Sequence, residues 1–310
     1  MLERATLKKL AAEAGFDLCG VTPCRHLDEG ERRFRRWLEQ GCQASLGYME
    51  RHTDKRFDPR RLLEGARTAV VCAVNYRNPA SDGYPDAHRA KVASYACARD
   101  YHTTIKEMLA RLHASVREVW PTVAGRTFVD TAPLAEKQLA VEAGLGWIGR
   151  QSLLVTPEFG TRVLLGELLL CDEAESYDVP LGGAHCGECR RCIDGCPTQA
   201  ITETRTVDAR RCIACHTIER ERETGIDLHG WIFGCDACQN GCPYNRETPQ
   251  YSHPAFGPLF DPRAMTPDEW LAMDEVQFAE RCGATPLTRS GLRRIQRNIA
   301  GKTGTENEPR

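Results

Sequence analysis

The stretch CGECRRCIDGCPTQA, residues 186–200, sets Cys186, Cys189, Cys192 and Cys196 close together and follows the last with Pro197. This is the spacing C-x2-C-x2-C-x3-C-P, the bacterial ferredoxin run for a [4Fe–4S] cluster. Three thiolates separated by two residues each can wrap three irons of one cubane. The fourth, turned away by its proline, points to a different cluster. Zinc is the rival metal, but a structural zinc site is usually held by two separated C-x2-C pairs, which this run does not form. The next segment supplies Cys212, Cys215, Cys235, Cys238 and Cys242, the last followed by Pro243. Crossed ligation, as in two-cluster ferredoxins, pairs Cys186, Cys189 and Cys192 with the remote Cys242. It pairs Cys235 and Cys238 with the remote Cys196. The second cluster needs one more thiolate, and by spacing alone Cys212 and Cys215 compete for that place. Two cubanes in one small unit can pass electrons between them, so the chain ahead of them should hold the terminus of that path.

Composition bounds what the terminus can be. A chain of 310 residues has room for two domains. Its 41% hydrophobic and 27% charged content is ordinary for a globular protein. The net charge of −2 supplies no global basic field, so nucleic-acid binding would need a local patch. No apolar run is long enough to span a membrane. The first twenty residues, MLERATLKKLAAEAGFDLCG, read as an amphipathic helix through Leu2, Leu7, Leu10, Ala11 and Ala14 that stops at Gly15. They show neither an apolar signal region nor twin arginines, so a cytoplasmic location is expected. In that reducing compartment the 16 cysteines should not form disulfides. Cys19, Cys24, Cys42, Cys72, Cys97, Cys171 and Cys282 read as small buried hydrophobes.

Ahead of the clusters, RTAVVCAVNY (residues 67–76) reads as a buried strand. Residues 100–120 form a helical pattern with Ile105, Met108, Leu109, Leu112 and Val116 on one face. Residues 125–149 read as a strand ending at Asp130, a turn, and a helix from about Pro133, with Asp130 or Thr131 as its cap. Residues 152–170 read as two strands joined by a turn at 157–160. Strands and helices alternate, which predicts an α/β (α+β) sandwich before the cluster unit. Neither GxGxxG nor a Walker A loop occurs, so no dinucleotide or nucleoside triphosphate site is signalled. Asp130 stands where a strand gives way to a helix, a place suited to a functional side chain as well as to a cap.

The stretches SYACARDYHTTIKEML (94–109), VDTAPLAEKQLAVEAGLGWIGRQSLLVTPEFGTRVLLGELLL (129–170) and the cysteine segment through GCDACQNGCPYN (234–245) together resemble the epoxyqueuosine reductase family. That family comprises cobalamin-dependent, iron–sulfur enzymes of tRNA modification, related to the reductive dehalogenases. The resemblance runs from about Arg56 to Asn245 and implies three regions. These are a cobalamin-binding catalytic α/β domain at 1–178, a ferredoxin-like domain with two [4Fe–4S] clusters at 179–250, and a short helical C-terminal region with a disordered tail at 251–310. It implies reduction of the epoxide of epoxyqueuosine in a tRNA anticodon loop to the alkene of queuosine. Electrons would come from an external donor of flavodoxin or ferredoxin type and pass through the clusters to a base-off cobalamin. The leaving oxygen needs a proton, and the aspartate of the DTAP motif, here Asp130, takes the donor role. Such an acid needs a raised pKa, expected from desolvation by the corrin and aromatic walls.

By motif position the cobalamin contacts implied are Arg56, Cys97, Asp130, Gly149, Arg150, Gln151 and Leu154, with Trp147 walling the substrate cavity. The match of "RRC" places the last ligand of the second cluster at Cys212, which leaves Cys215 as a spare thiol. The chain departs from the family at Ala98, where Gly is common, at IACHTIER after Cys212, and at GRQ (149–151) in place of GKN. Longer members continue into HEAT-type repeats, whereas here PLTRSGLRRIQRNIAG resembles only the first helix of that region. Arginines 32, 33, 35 and 36, then 220 and 222, then 289, 293, 294 and 297 would offer phosphate contacts to an anticodon stem-loop. A monomer without membrane attachment is expected. The alternatives are a cytoplasmic reductive dehalogenase-like enzyme and a non-catalytic ferredoxin-type electron carrier.

Overall fold

The computed structural model of the chain describes residues 1–183, 185–203, 205–220 and 225–300. Arg222 and the polar tail lie outside the described residues. Helix α1 (Arg4–Glu13) leads to β1 (Leu18–Pro23), α2 (Asp28–Glu39), α3 (Thr53–Arg56) and β2 (Thr68–Asn75). Then come β3 (Lys91–Val92), α4 (Tyr101–Val119), β4 (Gly125–Phe128), α5 (Glu136–Glu142), β5 (Trp147–Ile148), β6 (Leu154–Val155) and β7 (Val163–Leu170). The cysteine segment contributes α6 (Arg191–Asp194), α7 (Ile213–Ile218), β8 (Trp231–Phe233) and α8 (Ala237–Asn240). Beyond it lie α9 (Pro267–Ala272), α10 (Glu275–Cys282) and α11 (Gly291–Ala300).

The main sheet has the order β1-β2-β7-β4, and every neighbouring pair in it is antiparallel. All eight residues of β2 are buried, as expected of a strand covered on both faces. Its alternation decides the layers. Val70, Cys72 and Val74 point to a core shared with α1 and α4, while Ala69, Val71 and Ala73 point to a second core with α5. The result is a helix–sheet–helix sandwich of mixed α and β structure. Its antiparallel sheet makes it the α+β form of the expected architecture.

Helix α4 shows why its segment folds where it does. Asp100 caps it by accepting from the His102 N–H at 2.8 Å. Ile105, Met108, Leu109, Leu112 and Val116 are each fully buried beneath the sheet. The helix ends before Pro121, because the residue ahead of a proline is driven out of helical geometry. Gly166 in β7 lets it come close: a Cβ there would stand 2.6 Å from Ile105 Cγ2.

Three expectations about elements are corrected. The strand before Asp130 ends at Phe128, and α5 begins at Glu136 with Ala135 at its N-cap and no side-chain cap. Neither Asp130 nor Thr131 therefore caps it. The two strands expected over 152–170 are present as β6 and β7; β6 pairs with β5, while β7 joins β2 and β4 in the main sheet.

A third core crosses the boundaries read from the sequence. It gathers Val92, Ala96 and Cys97, then Ile232 and Phe233 of β8, then Trp270, Phe278, Leu287, Leu292 and Ile295. Strand β3 pairs in parallel with β8. The cysteine segment and the C-terminal helices are thus built onto the residues 80–97, rather than attached by a linker.

Candidate active site

Asp130 sits two residues beyond β4 with a left-handed backbone, φ +46°. This is an uncommon conformation for a residue with a side chain, and it turns the carboxylate out of the strand direction. Two groups from the first turn of α4 hold that carboxylate. Tyr101 donates its hydroxyl to Oδ2 at 2.6 Å, and His102 places Nε2 3.0 Å from the same oxygen. The opposite ring nitrogen of His102 lies 2.8 Å from Asp100 Oδ1, and the Tyr101 and His102 rings stack at 4.1 Å. The Asp130 main-chain N–H donates to Glu136 Oε1 at 2.6 Å, which fixes the turn between the strand and α5.

The electrostatics differ from the sequence expectation. Burial pushes the Asp130 carboxyl up, but the hydrogen bonds from His102 and Tyr101 outweigh it, and the group sits below the ordinary aspartate range. The expected raised pKa is therefore corrected for this conformation. The hydrogen bonds to Asp100 and Asp130 instead raise His102 to about 9. At neutral pH it is an imidazolium donating from both nitrogens. Behind this pair, Glu167 is fully buried on β7, and among the described residues its carboxyl meets no N–H or hydroxyl donor, only the Glu136 carboxyl. Burial, then the neighbouring carboxylates, push Glu167 well up and Glu136 to about 7. Two adjacent carboxyls in a dry interior cannot both ionise, so the pair holds a proton at neutral pH.

Other residues enclose the site. Arg56 ends α3, lies 5.4 Å from the Phe34 ring, and its charge is felt by Tyr48 and Glu136. The Arg56 carbonyl accepts from Ala135 N–H at 2.9 Å, tying α3 to the turn that bears Asp130. Arg289, between α10 and α11, pairs with Glu219 at 2.7 Å and acts electrostatically on Asp130, Tyr48 and Tyr101. Lys137 donates to the Ser152 carbonyl at 2.5 Å, joining the Asp130 side to the 149–154 loop. In that loop Gly149 leaves room for its neighbours: a Cβ would stand 2.4 Å from Gln151 Oε1 and 2.9 Å from Val155 Cγ2.

The residues expected at a cofactor divide into two groups. Arg56, Trp147, Arg150 and Gln151 each keep a buried N–H without a partner. Orphaned donors of this kind suit a ligand rich in amide and other acceptor oxygens, so these residues fit the corrin periphery. Arg150 and Trp147 also reach the first cluster loop. Arg150 donates to the Gly187 carbonyl at 2.8 Å, and Trp147 stacks on His185 at 4.2 Å with Tyr244 edge-on at 4.9 Å. Cys97 does not fit. It is fully enclosed in the third core with its sulfur directed at the Ala93 carbonyl, 3.8 Å away, so it presents no surface to a cofactor and is a core thiol. The Leu154 side chain likewise belongs to the second core.

The cysteine segment brings its thiols together in two sets. Burial raises the Cys192 thiol, and Cys242, Cys186 and Cys189 add to the rise as near neighbours. The other set is Cys235 and Cys238, both raised by burial, with Cys212 as a shared neighbour and Cys196 beside Cys235. Cys215 is one turn of α7 further on. Burial raises it, while its largest polar neighbour is Arg220, which lowers it. Among the described residues no three His, Cys, Asp or Glu side chains converge on a point suited to one metal ion. A cubane spreads its four thiolates more widely than a single zinc ion does, and the donor set is all sulfur, so both sets fit [4Fe–4S] chemistry.

The arginines listed for RNA are largely occupied. Arg32 and Arg33 pair with Glu29 at 2.6 and 2.7 Å, and Arg35 pairs with Glu31. Arg294 and Arg297 donate to the carbonyls of Ile218 and Arg220 at the end of α7. Sequence reading gave no role to Tyr101, His102, Glu136, Glu167, Tyr48 or Arg162. The available signals were the acid–aromatic–histidine run at the start of α4 and the single carboxylate in the apolar stretch VLLGELLL.

Residues 185–245 match a family model described as "4Fe-4S double cluster binding domain", which makes the class of protein an iron–sulfur oxidoreductase of mixed α/β fold. Residues 56–131, including Arg56, Tyr101, His102 and Asp130, match a model described as "Epoxyqueuosine reductase QueG, DUF1730". The chain belongs to the epoxyqueuosine reductase family. It is 38% identical over 297 residues to the epoxyqueuosine reductase of Cyclobacterium marinum, with 94% of each chain covered. To that of Xanthomonas campestris it is 39% identical, with 98% of this chain and 87% of the relative covered. Among solved structures, the epoxyqueuosine reductase of Streptococcus thermophilus superposes with a TM-score of 0.82 at 28% identity, covering 96% of this chain and 80% of that one. A crystal structure of epoxyqueuosine reductase with an epoxyqueuosine-modified tRNA-Tyr stem loop superposes with a TM-score of 0.83 at 26% identity and the same coverage. No helix among the described residues is long and apolar enough to cross a membrane.

Proposed function

We propose that this chain reduces epoxyqueuosine in a tRNA anticodon loop to queuosine, the last step in making that nucleoside. One observation supports this reading above the others: the Asp130–Tyr101–His102 centre and two sets of gathered cysteines occur together in a chain 38% identical, over 94% of its length, to a named epoxyqueuosine reductase. The reaction consumes two electrons and two protons, converts the epoxide to an alkene and releases its oxygen as water. Cys186, Cys189, Cys192 and Cys242 hold the first cluster. Cys196, Cys212, Cys235 and Cys238 hold the second, and Cys215 is the spare thiol. Cobalamin, when bound, would supply low-valent cobalt chemistry to the epoxide. Arg56, Trp147, Arg150 and Gln151, with the Gly149 main chain, hold it.

The protein's own groups manage the proton. Asp130 faces the departing oxygen, and His102, charged at neutral pH, stores the proton that Asp130 passes on. Tyr101 holds the carboxylate in place, and Glu136 pins the turn. Trp147 walls the cavity, and Arg220 faces the RNA. Residues 1–178 form the catalytic region, 179–250 the ferredoxin-like region and 251–310 the helical end. The protein acts as a cytoplasmic monomer fed by an external one-electron donor of flavodoxin or ferredoxin type.

Anaerobic turnover of an epoxyqueuosine-bearing anticodon stem-loop by the reconstituted protein tests this, with nucleosides read by mass spectrometry. Queuosine should form only when both cobalamin and reductant are present. Asp130→Asn should retain iron and cobalamin through gel filtration while losing roughly 10²- to 10⁴-fold in rate, the usual contribution of a positioned acid. Full activity of that variant would reduce Asp130 to a turn residue.

A further inference from the structure

Arg162 immediately precedes β7, and neither the fold nor the reaction above accounts for it. It is 3% exposed. Its guanidinium donates to the Ser81 carbonyl at 2.6 Å, the Asn240 side-chain oxygen at 3.0 Å and the Ser94 hydroxyl at 3.5 Å. All three acceptors are neutral, and its buried Nε–H has no partner. An arginine stays charged in proteins, and a buried charge without a counter-ion is strongly disfavoured. The nearby carboxylate, Asp236, lies across Ser94 and is engaged by the Ser94 N–H at 2.8 Å and by Gln239 at 3.1 Å.

The anion that Arg162 lacks is adjacent. Asn240, which aims the guanidinium, is two residues before Cys242. Asn240 and Asn245, which flank Cys242 in the chain, are both hydrogen-bonded to the Thr161–Arg162 step, so the guanidinium is held against the loop that bears this thiol. The mounting is rigid. Thr161 N–H donates to Asn245 Oδ1 at 2.7 Å, Asn245 Nδ2 donates back to Thr161 Oγ1 at 2.8 Å, and Thr161 Oγ1 donates to Gln239 at 2.9 Å. Gly160 permits this contact, since a Cβ there would meet Asn245 Oδ1 at 2.0 Å.

We propose that Arg162 is the buried counter-charge of the first cluster, that its free N–H serves a sulfur of that cluster, and that it makes the cluster easier to reduce. The inference rests on the ligand assignment proposed above. Reduction adds one electron, taken from the external donor, and neither makes nor breaks a bond. A fixed positive charge in a low-dielectric interior stabilises the more negative, reduced form and raises the potential. The loop bearing Cys186 also touches Trp147 and Arg150. A raised potential there therefore draws electrons from the second cluster toward the cleft. Arg162 acts through the cluster and touches no reacting atom of the substrate.

The test is an anaerobic redox titration of the holoprotein followed by electron paramagnetic resonance, alongside iron and sulfide analysis. The wild type should contain two cubanes with two separable midpoints. A smaller iron content would instead refute the ligand assignment. Arg162→Gln should lower one midpoint and leave the other, and Arg162→Lys, which keeps the charge, should recover most of the loss. Unchanged midpoints in Arg162→Gln, or a Lys variant that behaves like Gln, would overturn the proposal. Should the Gln variant not assemble, Asn240→Asp decides, because it gives the guanidinium a carboxylate. The same midpoint must then fall, and an unchanged one refutes the idea.

Discussion

Asp130 and His102 form a unit whose proton lies on the histidine. A histidine raised to about 9 by its carboxylate partners holds its proton more tightly folded than unfolded, where the ordinary value is about 6.5. Its contribution to stability is complete below about 6.5 and is lost as pH rises through about 9. Turnover that draws on this proton should fall over the same upper range, and His102→Gln should abolish that limb of the pH–rate profile. A profile unchanged by the substitution would show that the proton comes from elsewhere. The Glu136–Glu167 pair has the same sign for a different reason, since both carboxyls are raised by burial and prefer the neutral form. Their favourable contribution is complete below the ordinary glutamate range and declines as pH rises through about 7. Glu167→Gln should therefore raise the melting temperature at pH 8 relative to wild type and change it little at pH 5. Among the thiols, Cys215→Ser should retain the full iron of two cubanes while Cys212→Ser loses part of it; iron analysis of the purified variants checks this, and the reverse result would exchange their roles.

The candidate site residues that the sequence marks by fixed spacing or by a motif are the cysteine run and Asp130. The pKa of Asp130 was not legible, because it depends on Tyr101 and His102, which lie about thirty positions away in sequence and arrive through packing of α4 on the sheet. Cys97 misled for the opposite reason. Its motif neighbours line the site, but its own side chain turns into the third core.

At the scale of elements, the strongest periodic signals were read correctly. The all-apolar β2 and the one-faced α4 formed as expected because each pattern has one way to bury itself. The turn after β4 was misread. Pro133 looked like a helix start, yet the chain spends residues 129–135 presenting Asp130 and begins α5 only at Glu136. Pairing partners were also out of reach, since short apolar runs do not say which strand they join. The packing of α4 on β7 makes a direct prediction. Gly166→Ala sets a methyl 2.6 Å from Ile105 Cγ2, and overpacking of this kind costs about 1–3 kcal/mol. Urea unfolding should show that loss, and Ile105→Leu in the same chain, which removes the Cγ2 methyl, should recover part of it. Equal stability of Gly166→Ala and wild type would mean the two elements are less tightly apposed than described.

Across the whole molecule, Trp147 and Arg150 meet the first cysteine loop, Lys137 ties the neighbouring loop at Ser152 to α5, and Glu136 at the start of α5 holds the Asp130 turn. The third core, built from residues 80–97, β8 and the C-terminal helices, locks the segments together. The arginines at 294 and 297 help in this by holding the end of α7, which leaves fewer charges for RNA than a count from sequence suggests. RNA affinity should therefore depend on a few residues, Arg220 among them, and should weaken steeply with salt. The reaction proposed for this chain is the conversion of epoxyqueuosine to queuosine. The most direct measurement is to express it in cells that lack their own reductase and digest their tRNA to nucleosides. Epoxyqueuosine should be replaced by queuosine, and should persist with Asp130→Asn. Persistence of epoxyqueuosine with the wild-type chain, present in soluble form with both clusters assembled and cobalamin supplied, would contradict the proposed reaction.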